Sequence, residues 1–461
     1  MAAQSKSKTA GWILFSIIIL TSLFHLNSAY GDEECDIVIP AIPELDPGKI
    51  EYHARESFAS MIIRTSPQDS SMFPCYFIER EQVITISSAL ENASEAYIRT
   101  HNNDVLEIED TLYRDKIGDM ILLKVEKPRF KPDQLEPRFY HPDRDEPVAL
   151  VTGVSRSGPT VAKAAILKWE FEPFYGFVSK LQDDSLSHSG AFAINSKRQI
   201  LGIVQTIKTD STIKNFIIPL TMVLEDAPRR PSLDYISKSS ARLSDSALTD
   251  IRLALSWIWD GDYEQGGNLI LDVILKHTSN PIVITYNAYT DFYRGELLDA
   301  IPKAQEALEL GGKFAEAYLL IGHGYEILDK QEEAAAAIDS ALEINDRLYD
   351  ALLAKARLLL NSGEYEEANN MVEEAIEAQP YNSNAILLSA LAKLYEGERE
   401  DGCELFQEAL NNSRTEMSLY MAVASMFYWR GYEDRGKEIL HESLEIDPED
   451  GGIYVRLGKF H

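Results

Sequence analysis

The sequence predicts a chain of several domains, an all-β part of about 170 residues followed by an all-α repeat array. Three observations carry this expectation. Between Ser57 and Thr206 the chain is a series of short runs with strand-type alternation, separated by turn residues, which suits a pair of small barrels. Beyond residue 246 a spacing of 34 residues recurs without slippage, through Gly261, Gly295, Asp329, Gly363, Gly397 and Gly431. Between the two lies 226–246, rich in Pro, Ser and charge, which reads as a linker.

Taken in order, residues 1–31 have the pattern of a signal peptide. Lys6 and Lys8 precede an apolar run from Trp12 to Phe24, and Ala29-Tyr30-Gly31 supplies small residues for cleavage. The expectation is export to the periplasm or beyond, with no membrane span after cleavage and an uncleaved anchor as the alternative. Residues 32–50, rich in Pro and acid, read as an extended arm. In an exported chain Cys35 and Cys75 are the candidate disulfide, leaving Cys403 as a small buried filler. No CxxC or Cys/His cluster calls for a metal, and no cofactor is expected. Net charge is −30, of which about −23 falls after residue 240. That field argues against nucleic acid and anionic lipid as partners. The acidic residues read as the solvated outer faces of helices.

Residues 51–225 carry four informative segments: Val83–Leu90 (VITISSAL), Gly118–Val125 (GDMILLKV), Ser187–Ile203 (SHSGAFAINSKRQILGI) and Asn215–Val223 (NFIIPLTMV). Their order and spacing resemble trypsin-like serine proteases, and the last resembles the closing strand of the HtrA-type members. Val148–Ile166 is similar to that family's opening strands of the second barrel. The resemblance implies a trypsin-like double barrel. It places the nucleophile at Ser189, followed by Gly190, and the triad carboxylate at Asp119. The base position is Ser88, because the family's TxAH reads Thr85-Ile86-Ser87-Ser88. A hydroxyl cannot accept a proton near neutral pH, so Ser189 has no agent to activate it. Ser187 stands where the family has an oxyanion-hole glycine, and is expected to strain or flip its peptide. Ala191 and Phe192 are further departures. His53, His101, His141 and His188 read as surface histidines. The resemblance therefore implies a pseudoprotease domain.

In 247–461 the spacing, with small residues five positions after each turn (Gly266, Ala300, Ala334, Ala368, Gly402, Gly436), resembles tetratricopeptide (TPR) repeats. Six units are read, 247–280, 281–314, 315–348, 349–382, 383–416 and 417–450, with a partial seventh. Tyr318, Ile321, Gly322 and Tyr325 share one helix face, so Gly322 lets the neighbouring helix approach. Stacked helix pairs form a groove. Its first-helix positions include Trp259, Tyr289, Phe292, Tyr293, Tyr395, Tyr428 and Trp429, which could anchor a peptide. The Lys/Asn carboxylate clamp of some TPR proteins is not reproduced at positions such as Thr285, His323 and Arg357. The expected function is a non-catalytic adaptor that binds protein partners through this groove, with self-association possible. The rival expectation is a serine endopeptidase with a non-standard base that recruits substrates through the array.

Overall fold

The computed structural model describes residues 56–460 apart from 67, 138–145, 156–157, 173–175, 183–186, 209–212, 221–242, 277–279, 312–313, 380–382, 397, 413–416, 430–432, 447 and 449. The expected signal peptide, the arm with Cys35, His53, His141 and most of the expected linker lie outside that set. No described helix is long and apolar enough to cross a membrane.

Six antiparallel strands make the first barrel: β1 (Phe58–Arg64), β2 (Ser70–Glu79), β3 (Gln82–Ile86), β4 (Glu95–Thr100), β5 (Val105–Asp115) and β6 (Met120–Val125). They close in the order β1-β2-β3-β6-β5-β4. The second sheet adds β7 (Glu136–Pro137), β8 (Pro147–Ser155), β9 (Gly158–Glu172), β10 (Gly176–Leu181), β11 (Phe192–Asn195), β12 (Gln199–Lys208) and β13 (Ile213–Pro219). A β11–β12 pairing closes it. Closure removes the exposed edges that short strands would otherwise present. Val148, Leu150, Ile166, Leu181, Val204 and Ile217 fill the second barrel. Gly202 is obligatory in β12, since a Cβ there would fall 2.2 Å from the Ile218 carbonyl oxygen of β13. Between the barrels, Phe192 packs its ring 5.4 Å from Phe58 and 6.0 Å from Tyr76.

Thirteen helices follow among the described residues: α1 (Asp245–Ile258), α2 (Tyr263–Lys276), α3 (Pro281–Tyr293), α4 (Leu297–Glu309), α5 (Ala315–Ile327), α6 (Gln331–Ile344), α7 (Tyr349–Ser362), α8 (Tyr365–Ala378), α9 (Ser383–Glu396), α10 (Arg399–Asn412), α11 (Met417–Trp429), α12 (Glu433–Ile446) and α13 (Gly451–Lys459). The sequence period has a backbone cause. Gly363 ends α7 at φ +81°, and Asp329 takes the equivalent place after α5 at φ +57°. Each reverses the chain in the left-handed region that closes a helix. The small residues do the packing expected of them. A Cβ on Gly322 would sit 2.7 Å from Ile338 Cγ1 of the paired helix.

The chain divides into two compact units. One holds both barrels with α1, α2 and the start of α3; the other holds the remaining helices. Helix α13 is capped by Asp450, whose side chain accepts from the Ile453 N–H at 2.9 Å. Phe460, just beyond it, stacks on Tyr428 at 4.0 Å.

The disulfide expectation needs correction. Cys75 is a free thiol buried in β2, while Cys403 of α10 is disulfide-bonded rather than a filler. Spacing alone could not have chosen between these pairings.

Candidate functional site

Antiparallel pairing of β3 with β6 sets Ile86 opposite Met120. That register brings Ser88, in a short 3-10 turn after β3, to Asp119, one residue before β6. The Ser88 N–H donates to Asp119 Oδ1 at 2.7 Å, and the Ser88 hydroxyl donates to Asp119 Oδ2 at 2.7 Å. Asp119 adopts φ +53°, a left-handed conformation that Asp tolerates better than most residues. Its carbonyl accepts from the Ser87 N–H at 3.0 Å. Only 5% of Asp119 is exposed. Burial raises its carboxyl above the usual range, opposed first by Arg252 and then by the two Ser88 hydrogen bonds.

The turn that carries Ser189 is fixed in place. Gly190, at φ +83°, donates its N–H to the Val204 carbonyl at 2.8 Å, and Ala191 donates to the His188 carbonyl at 2.9 Å. A Cβ on Gly190 would come within 3.2 Å of Ile86 Cδ1, so the turn rests on the end of β3. Ser189 itself is exposed, and no described residue hydrogen-bonds its hydroxyl. The half-buried His188 is tied through its own N–H to Asn215 Oδ1 at 3.3 Å. His101, expected at the surface, is instead buried against Phe130 at 5.0 Å between ring centroids.

One member of this constellation was missed from sequence. Arg252, in α1, brings its guanidinium to 3.6 Å from Asp119 Oδ1 and also donates to the Lys116 carbonyl. No motif announces it: the contact spans the barrel, the segment 226–246 and half of the first repeat helix.

In the array, burial corrects part of the expected groove. Trp259, Tyr289 and Phe292 are core residues with 6% or less of their surface exposed, and they present nothing to a partner. Trp259 packs edge-on against Phe216 at 5.3 Å, and Tyr289 lies 4.5 Å from Tyr293. Tyr293 and Tyr428 are half-buried, the latter against Phe460. Tyr395 and Trp429 lie at the C-terminal ends of α9 and α11. These first helices are apolar on two faces, so their periodicity does not separate groove from inter-repeat core.

A charged cluster joins α5 to α7. Glu326 Oε2 accepts from Arg357 at 3.1 Å and lies 2.9 Å from His323 Nδ1. Burial alone would raise the Glu326 carboxyl. Arg357 and then the His323 contact outweigh it and hold it below the usual range. Nearby Asp350 is pushed up to about 6 by burial, against the pull of His323 and Arg357. Tyr349 stitches α7 to α9, its hydroxyl accepting from the Ala385 N–H at 3.1 Å.

The fold is a protease-like double barrel, in which the Ser88 hydroxyl faces the Asp119 carboxylate, joined to a TPR-type helical solenoid. No family model and no curated protein sequence matches the chain. Among solved structures it is similar to the MamA protein, with 21% identity and a TM-score of 0.31 over 36% of this chain and 92% of that one. It is similar to the APC/C hetero-tetramer Cut9-Hcn1, with 15% identity and a TM-score of 0.41 over 52% of this chain and 48% of that one. It is also similar to the HtrA-type protease AlgW solved with a tripeptide, with 16% identity and a TM-score of 0.33 over 40% of this chain and 62% of that one. At these levels the likeness carries no functional argument. The assignment rests on this chain's own strand order and helix period.

Proposed function

We propose that this chain is an exported, non-catalytic scaffold that holds protein partners in the groove of its repeat array, beside a pseudoprotease double barrel. The observation that carries the catalytic half of this reading is the double hydrogen bond from Ser88 to Asp119. The carboxylate that would orient an imidazole is satisfied by a residue with no basic atom, and among the described residues no hydrogen bond to the Ser189 hydroxyl is formed. Losing the base of such a triad lowers turnover by several orders of magnitude. The binding half rests on architecture, because stacked helix pairs create an extended concave surface whatever their chemistry.

A fluorophosphonate probe tests the reading on the purified full chain. No labelling of Ser189 is expected. Labelling that disappears in Ser189→Ala would overturn it in favour of a peptidase with an unconventional base.

A further inference from the structure

We propose that Asp119 has exchanged a place in a triad for a docking role, locking the first repeat hairpin onto the double barrel through Arg252. The two sides of this contact exchange charges of opposite sense. The barrel supplies the anion Asp119, held by Ser88, and helix α1 supplies the cation Arg252 at 3.6 Å. In the other direction, Asp260, just after α1, supplies the anion and takes Lys180 of β10 at 3.0 Å and Lys214 of β13 at 2.8 Å.

All five side chains are largely shielded. Asp119 has 6% of its side chain exposed, Lys180 and Lys214 have 11% each, Asp260 has 21% and Arg252 has 27%. Shielded pairs of this kind resist salt, unlike surface bridges. Apolar groups frame the second lock. Lys214 Nζ sits 4.3 Å from the centre of the Trp257 ring, and Trp259 packs on Phe216. Each anion thus meets a cation from the other element, an arrangement of opposite charges that favours this pose. The lock also accounts for a buried carboxylate kept beside a serine that cannot use it for catalysis. Asp119 is required where it is because a helix from another part of the chain depends on it.

Hydrogen exchange on the full chain tests this, with the amides of 247–258 read against those of β6 as an internal reference. Asp119→Asn keeps the shape and removes the charge; Arg252→Met removes the partner without touching the barrel. Each is expected to speed exchange across 247–258 about tenfold or more, and the double variant no further than either alone. Should Asp119→Asn also expose β6, Arg252→Met alone decides. Protection of 247–258 within twofold of the parent in Arg252→Met, or two effects that multiply, would overturn the proposal.

Discussion

Replacing Arg357 with methionine is expected to destabilise the repeat array by about 3 kcal/mol near pH 8 and by much less near pH 5. The pair it breaks is almost wholly buried, with 6% and 3% of the two side chains exposed at an N–O distance of 3.1 Å. At an effective dielectric of about 20, that distance corresponds to roughly 5 kcal/mol of attraction, and loss of one partner from buried pairs typically costs about 3–5 kcal/mol. The lower end applies here because His323 remains within reach of the same oxygen. The pH dependence follows from the Glu326 carboxyl. In the parent it is held below its usual range, so its contribution is present at neutral pH and is lost only as acid titrates it through that lowered value. Without Arg357, burial dominates and the carboxyl rises. The variant then carries a poorly compensated buried charge at pH 8, and protonation relieves it on acidification. Asp350 loses the same counter-charge and pushes in the same direction. Urea unfolding of the full chain, followed by helical circular dichroism at both pH values, measures the difference. An equal loss at the two pH values, or parental stability near pH 8, would refute the reasoning.

Two glycines in neighbouring helices should respond oppositely to the same change. Gly436→Ala puts a Cβ 2.7 Å from the Ala424 carbonyl oxygen and is expected to cost about 1–2 kcal/mol despite the better helix propensity of alanine. Gly458→Ala meets nothing within 4 Å and should be neutral or stabilising by up to about 1 kcal/mol, so thermal shifts of like sign would count against the packing account. The Cys75 thiol, pushed far above its usual range by burial, should resist alkylation until the protein is denatured. Peptide mapping without reductant is expected to find Cys403 in a disulfide and Cys75 as a free thiol. Recovery of Cys75 in a disulfide would contradict this.

Much of the architecture was legible in the sequence because local rules generate it. Gly363 and Asp329 mark helix ends through backbone conformation, and Gly322 and Gly436 mark helix crossings through volume, so both recur at the repeat period. The segments around Ser88, Asp119 and Ser189 were recognisable because adjoining strands deliver them. What stayed hidden depends on contacts remote in sequence. Arg252 is an ordinary helical arginine until the fold brings Asp119 to it, and the Asp260 clamp joins three separate elements. The groove aromatics failed for another reason. A ring at a first-helix position serves equally well as core or as contact surface, and only the burial of Tyr289 and Phe292 decides which.

The rings of Phe58, Tyr76 and Phe192 form a weld across the seam of the double barrel. Halves joined in this way should melt in a single cooperative step, and neither is expected to stand as an independent fragment. Truncations intended to isolate either half would strip an aromatic face bare, so cuts belong outside the seam.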